Sequence, residues 1–218
     1  MSGEGAGLDR YTPGMGADHL IPVAALAIPA YPVHRQEWIN PLAADDNYFI
    51  NAVAMPDAAA TWLAVTAAKF NGANTKGAGY PDYARNITAV CSDTQTGDMV
   101  VTGLDARGQA VTETITLNSG TPVAGRVAFA QVISILMPIK VGVETIKVGF
   151  GDVLGLDEAM TEYALLVETM SGAKATAGTL VLGVGTANYD RQGTYDPNSA
   201  CDGTRDFALL YIPTAWLP

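Results

Sequence analysis

Two histidines and two cysteines are the residues of this sequence best suited to nucleophilic catalysis. A Ser-His-Asp or Cys-His arrangement needs a histidine beside the nucleophile on a rigid support. His19 and His34 both lie in a proline-rich stretch, and Cys91 and Cys201 are far apart and belong to no CxxC pair. The sequence therefore predicts two free thiols, no zinc site and no catalytic residue, so we expect a protein that is not an enzyme.

The acidic residues and glycines near the C-terminus are of types found in metal and nucleotide sites. Asp190, Asp196, Asp202 and Asp206 share one polar loop, and converging carboxylates can hold Ca²⁺. Their spacing is not that of an EF-hand loop, and aspartates commonly form turns. The nearby "GVGTANYDRQG" shares only its first glycines with a dinucleotide fingerprint. We expect no bound metal and no cofactor.

The charge balance argues against nucleic acid and anionic membranes as partners. The 218 residues contain 12 Lys and Arg against 22 Asp and Glu, a net charge of -10, and the basic residues are scattered. The apolar run His19–Val33 contains three prolines and lacks a basic n-region, so it fits neither a signal peptide nor a membrane span. We expect no nucleic-acid partner, no membrane association and synthesis in a cytosol.

The first 60 residues differ from the rest and predict an extended N-terminal arm. Glycines are frequent at its start, and the prolines that follow disfavour regular helix and central strand; they are Pro22, Pro29, Pro32, Pro41 and Pro56. Large apolar residues such as Leu20, Ile21, Tyr31 and Trp38 nevertheless require burial. An arm laid across a surface, either of its own domain or of a neighbouring subunit, satisfies both observations.

Residues 61–218 have the pattern of an antiparallel all-β domain. Short apolar runs alternate with Gly, Asn and Asp clusters, which predicts a β-sandwich or jelly-roll-like fold. Strands are expected at Asn86–Ser92, Ala128–Leu136, Glu144–Phe150 and Phe207–Pro213. The second of these runs is apolar on both faces and predicts a central strand. Residues 157–185 fit either a helix or a hairpin, and the flanking pattern favours the hairpin.

The stretch Thr96–Leu117 predicts a hairpin with a surface-exposed row of threonines. Asp105 and Gly108 are the turn formers of its connection. On the return strand Thr112, Thr114 and Thr116 alternate with apolar residues and should face outward. Glu113 interrupts the apolar face, which suggests the edge of a sheet. Because only 16% of the chain is charged, such a hydroxyl-lined surface is suited to contact with other protein.

Several blocks of the sequence carry a family resemblance. They are "GYPDYARNITAV", "GDMVVTGLDARGQAVTETITL", "TPVAGRVAFAQVISI" and "GTYDPNSACDGTRDFALLYIP". In their order, from about Thr61 to Pro213, they resemble the head decoration or cement proteins of tailed bacteriophages and β-rich relatives. The resemblance implies a non-enzymatic virion protein, often trimeric, that binds major capsid protein on the outer surface and stabilises the shell. The long arm has no counterpart in the resemblance.

Together with the resemblance, these observations predict a capsid-decorating protein made in the bacterial host cytoplasm. The resemblance also implies that the protein is a homotrimer. The candidate interface residues are Leu20, Ile21, Tyr31, Trp38, Thr112, Thr114, Thr116 and Trp216. An alternative is a receptor- or glycan-binding module of a head fibre or tail, with Tyr80, Tyr83 and the loop from Gly183 to Asp206 as its site.

Overall fold

The regular structure of the protein consists of strands throughout the residues that the computed structural model describes, which are 33–73, 75–160, 165–183 and 192–213. Within these ranges no helix is long and apolar enough to span a membrane. The strands are β1 His34–Trp38, β2 Asp45–Ala54, β3 Thr61–Ala64, β4 Arg85–Cys91, β5 Asp98–Leu104, β6 Ala110–Thr116, β7 Val123–Phe129, β8 Gln131–Met137, β9 Thr145–Gly155, β10 Leu165–Met170, β11 Ala173–Lys174, β12 Thr179–Leu182, β13 Gly193–Asp196 and β14 Phe207–Tyr211.

The strands pair into three antiparallel sheets. The terminal sheet has the order β1-β14-β10-β11, and the hairpin sheet has the order β3-β8-β5-β6. The central sheet has the order β12-β13-β9-β4-β7, and β2 also pairs with β9. β4 pairs with β9 along one side. The other side of β9 pairs with two strands, with β2 along its first half and with β13 at its end. The predicted all-β antiparallel fold is confirmed and is consistent with a β-sandwich.

The main hydrophobic core lies between the central sheet and the hairpin sheet. Alternate residues of β4 and β9 supply one side of it, and alternate residues of β5, β6 and β8 supply the other. Its fully buried members include Ile87, Ile146, Val148 and Phe150 from the central sheet and Met99, Val101, Val132 and Ile135 from the hairpin sheet. Burial of such a side chain stabilises the fold by about 1.5–3 kcal/mol.

A second core lies between the end of β9 and the terminal sheet. Leu154 of β9 and Tyr195 of β13 pack with Trp38, Phe207 and Leu209. Trp38 stacks on Tyr195 with ring centroids 5.8 Å apart. The 11 residues of β9 thus contribute to both cores. Its first half packs in the main core, and its last residues pack in the second core.

Arg85 lies where the two cores meet and is fully buried. Its Nε and Nη2 donate to the two carboxylate oxygens of Asp82 at 3.1 and 3.0 Å. Nη2 also donates to the carbonyl oxygen of Leu42 at 2.6 Å, and Nη1 donates to that of Gly151 at 3.1 Å. The guanidinium carbon lies 4.9 Å from the centre of the Phe150 ring. One side chain therefore ties the β1–β2 connection to β4 and β9.

The predicted N-terminal arm, in which prolines disfavour helix and central strand, contains two regular strands, β1 and β2, and each pairs with one other strand only among the described residues. β1 pairs with β14 along its whole length, and β2 pairs with β9 through two register shifts. Pro41 and Pro56 lie outside the strands, in the connections that follow β1 and β2, where no ladder hydrogen bond is lost. Residues 33–60 of the predicted arm thus belong to this fold, and residues 1–32 lie outside the described residues.

The strand predictions in the rest of the chain are largely confirmed. β4, β9 and β14 occupy the expected runs, and β14 is central in its sheet. The hairpin favoured within residues 157–185, which joins the run 163–170 to the run 179–184, is wrong in its pairing: β10 pairs with the short β11, and β12 pairs with β13 in the central sheet. The single strand expected at Ala128–Leu136 is wrong, because the chain changes sheets at Ala130, between β7 and β8. β8 is central, between β3 and β5, but Ile133 on it is exposed.

Replacement of Gly149 by alanine is expected to lower the free energy of unfolding by about 1–3 kcal/mol. A β-carbon at this position of β9 would lie 1.7 Å from the carbonyl oxygen of Asp45, where β2 crosses, and backbone cannot move aside as a flexible side chain can. Urea denaturation measures the change. Gly142→Ala, whose β-carbon would meet only the carboxylate of Glu144, at 3.3 Å or more, is the control. Equal stability of the two variants would contradict this packing of β2 on β9.

Candidate interaction surface

The predicted hairpin forms with the expected turn. β5 and β6 pair in one unbroken register that includes Val100 opposite Thr114. The carboxylate of Asp105 accepts hydrogen bonds from the backbone N–H groups of Arg107 and Gln109 at 2.9 and 2.8 Å. Gly108 takes a φ of 75°, which a side chain would disfavour. The turn therefore fixes the register, as the sequence predicts.

The tip of the hairpin is held against another part of the fold. Nε of Arg107 donates to the carbonyl oxygen of Asp157 at 2.9 Å, and its guanidinium forms an ion pair with Glu158. A carboxylate oxygen of Asp157 lies 2.8 Å from Nε2 of His34, at the start of β1. The hairpin is therefore held in two places, by the packing of its strands in the main core and by the contacts of Arg107 at its tip.

Glu113 links the edge of the hairpin sheet to the central sheet. β6 is an edge strand of its sheet, as expected from this residue. One oxygen of the Glu113 carboxylate accepts hydrogen bonds from the N–H groups of Arg126 and Val127 on β7, at 2.6 and 3.2 Å. Gly125 leaves room for the carboxylate, since a β-carbon there would lie 2.2 Å from its oxygen. The charge therefore joins two sheets of this chain in addition to marking an edge.

The threonine row faces outward and continues across the hairpin sheet. Thr114 and Thr116 are exposed and Thr112 is half-buried, while Val111 and Ile115, on the opposite face of β6, are buried. Cross-strand pairing places Thr114 beside Val100, Val100 beside Leu136, and Leu136 beside Trp62. A parallel row runs through Thr112, Thr102, Ser134 and Ala64, in which the Thr102 and Ser134 hydroxyls are 2.7 Å apart.

We call the outward-facing side of this sheet the outer face. It consists of Trp62, Ala64, Asp98, Val100, Thr102, Leu104, Ala110, Thr112, Thr114, Thr116, Gln131, Ile133, Ser134 and Leu136. Asp98 is the one ionisable side chain among these residues. Trp62 is 51% exposed and Ile133 is 47% exposed. Aromatic side chains and a scarcity of charge are typical of the centre of a protein–protein interface.

The structure brings together three of the eight predicted interface residues. Thr112, Thr114 and Thr116 share the outer face. Trp38 does not lie on a surface, because it is 1% exposed in the second core. The other four, Leu20, Ile21, Tyr31 and Trp216, lie outside the described residues.

Sequence reasoning missed the apolar half of the outer face. Trp62 and Leu136 come from β3 and β8, which are distant in sequence from the threonines, and pairing order cannot be read from a single sequence. A local signal existed in "DMVVTGL", where Val100 and Thr102 alternate with the buried Met99 and Val101.

Two residues of the glycan-binding alternative, Tyr83 and Asp202, have structural roles. The Asp202 carboxylate accepts hydrogen bonds from the N–H groups of Thr204 and Arg205, which is the turn-forming role expected for it. The hydroxyl of Thr204 donates to the same carboxylate oxygen at 2.7 Å. These hydrogen bonds, and that of the hydroxyl most strongly, lower the pKa of Asp202. The hydroxyl of Tyr83 bonds to both the N–H and the carbonyl of Ile39. Asp190 lies outside the described residues.

A cleft of about 690 Å³ beside β2 is lined by both aromatic and acidic residues. Its carboxylates are engaged by groups of the same chain. Asp45 accepts a hydrogen bond from the N–H of Asn47 at 3.0 Å, Asp46 lies 3.6 Å from the ammonium of Lys147, and Asp202 holds its own turn. These contacts account for the acidic side chains without a ligand.

The two cysteines are free thiols, as expected, and both are buried. We predict that neither reacts with 5,5′-dithiobis(2-nitrobenzoic acid) in the native protein at pH 8, whereas both react after unfolding in guanidinium chloride. The thiolate is the reactive form, and burial raises the pKa of Cys201 to about 11. Cys91 is 2% exposed. Release of two equivalents of nitrothiobenzoate from the native protein would contradict the burial of both.

Comparisons with protein-family models, with curated proteins and with solved structures find no match to this chain. Its function therefore has to be argued from its own residues.

Proposed function

We propose that this chain is a non-enzymatic structural protein of a tailed-bacteriophage virion, which binds neighbouring major capsid subunits on the outside of the head and stabilises the shell as a homo-oligomer. The observation that carries the proposal is the outer face of the hairpin sheet. It is a four-stranded surface with one charged side chain and an exposed tryptophan, in a chain of net charge -10.

The arrangement of the outer face suits permanent attachment to another protein. Apolar groups such as Trp62 and Leu136 gain from leaving water, and threonine hydroxyls can hydrogen-bond to a partner without the cost of burying a charge. The hairpin is held by the core and by the Arg107 contacts, so little conformational freedom would be lost on binding.

The overall charge is also consistent with a position outside a DNA-filled shell. A net charge of -10 opposes binding to nucleic acid, which would compete with attachment to protein. The sequence resemblance to decoration proteins supports the same location. Both arguments favour the outer surface of the head over its interior.

The proposal is tested with shells of the encoding phage assembled without this protein. Full-length protein is mixed with the shells, sedimented, and located by electron microscopy. We expect saturable binding, density on the outside of the head, and shells that survive a higher temperature. Density at the tail, or saturable binding to host polysaccharide with none to shells, would instead support a receptor-binding module.

A further inference from the structure

The connection between β8 and β9 exposes three aliphatic side chains. In this aliphatic loop, Pro138–Glu144, Ile139 is 45% exposed, Val141 is 75% exposed and Val143 is 85% exposed. The last two are the most exposed large hydrophobic side chains in the described part of the chain. Ile139, Val141 and Val143 are separated only by Lys140 and Gly142, so the three exposed aliphatic side chains lie within five consecutive residues. Exposed apolar groups that lie close together mark interaction sites.

The backbone of the aliphatic loop is held in place at several points. The buried Gln95 donates from Nε2 to the carbonyl oxygen of Ile139 at 2.6 Å, and the N–H of Lys140 donates to the carbonyl oxygen of Pro56 at 2.9 Å. The Glu144 carboxylate accepts the N–H of Gly142 at 2.7 Å, a bond that lowers the pKa of Glu144. A loop fixed in this way presents its aliphatic groups without a large ordering cost on binding.

The surroundings of the aliphatic loop are acidic. The segments that hold the loop carry exposed carboxylates at Asp57, Asp93 and Asp98. The ammonium of Lys140, within the loop, forms an ion pair with the Asp57 carboxylate at 2.7 Å, so Asp93 and Asp98 supply the net negative charge. An apolar centre with an acidic border is complementary to an apolar cleft with a basic border, and it opposes contact with an anionic membrane.

We propose that the aliphatic loop is a second docking element, which inserts Val141 and Val143 into a basic-bordered apolar cleft of a major capsid subunit. This inference rests on the proposed function and adds the contact chemistry of its partner.

The test measures binding of full-length variants to shells assembled without the protein, by co-sedimentation at low and moderate salt. We expect Val141→Ser with Val143→Ser to weaken binding by at least about tenfold, the scale of a central interface contact. The matched control is Val181→Ser, an exposed valine on β12, and it should bind as wild type does. Charge reversal by Asp93→Lys, which leaves the Lys140–Asp57 ion pair intact, should also weaken binding and reduce its salt dependence.

Each outcome separates this inference from the proposed function. If wild type binds shells and the double serine variant binds equally well, the inference is overturned and the proposed function stands. If wild type does not bind shells, both are overturned. A variant defect seen only in self-association, or in binding to phosphatidylcholine vesicles, would replace the capsid subunit by a second copy or by lipid. The near-isosteric Val141→Thr with Val143→Thr, checked by thermal unfolding, provides a second folded variant that should show the same weakening.

Discussion

Replacement of Arg85 by methionine is expected to lower the free energy of unfolding by about 3–5 kcal/mol, the range found when one partner of a buried ion pair is removed. The methionine fills much of the space but donates no hydrogen bond. It leaves the mostly buried Asp82 carboxylate without its counter-charge, and the carbonyls of Leu42 and Gly151 without a donor. Urea or guanidinium denaturation followed by fluorescence measures the loss.

Two further variants separate the buried ion pair from a general effect of removing arginine. Arg205→Met breaks the exposed pair with Asp202 and should cost at most about 1 kcal/mol. Adding Asp82→Asn to Arg85→Met should restore part of the stability, because the uncompensated charge is removed while the amide oxygen can still accept the N–H of Leu42. If Arg85→Met and Arg205→Met were equally stable, the assignment of Arg85 as the junction of the two cores would be wrong.

Strands with strict alternation could be predicted from the sequence because their side chains alternate between core and surface. Ile146, Val148 and Phe150 of β9 show this pattern clearly. β1 and β2 were missed because nearby prolines suggested irregular structure, whereas the prolines of this region that the structure describes lie in the connections. β2 also departs from alternation, with two register shifts and a φ of 49° at Ala52.

Long-range contacts could not be predicted, since they depend on strand order. The sequence "PDYAR" has the composition of a solvated loop, yet Asp82 and Arg85 form a buried network with segments some 40 and 66 residues away. The outer face shows the same limit. The outward orientation of its threonines could be predicted from local alternation. That they share a face with Trp62 could not, because it depends on β8 lying between β3 and β5.

A charge at Thr114 is expected to disturb assembly far more than folding. In Thr114→Lys the ammonium would stand in the row that joins Val100, Leu136 and Trp62, where a bound partner would exclude water from it. If the outer face contacts the capsid, binding to shells should weaken by about a hundredfold or more. Thr114 is exposed in the free protein, so the free energy of unfolding should change by no more than about 0.5 kcal/mol.

Thr179→Lys supplies the matched control for this prediction. Thr179 is also an exposed threonine on a strand, but it lies on β12 at the edge of the central sheet. The two variants add the same charge to the chain, so a general electrostatic effect on binding would appear in both, whereas an effect of the outer face would appear only in Thr114→Lys. Wild-type binding of Thr114→Lys would exclude the centre of the outer face from the contact. Equal weakening in both variants would show that net charge, and not the uncharged surface of the hairpin sheet, governs attachment.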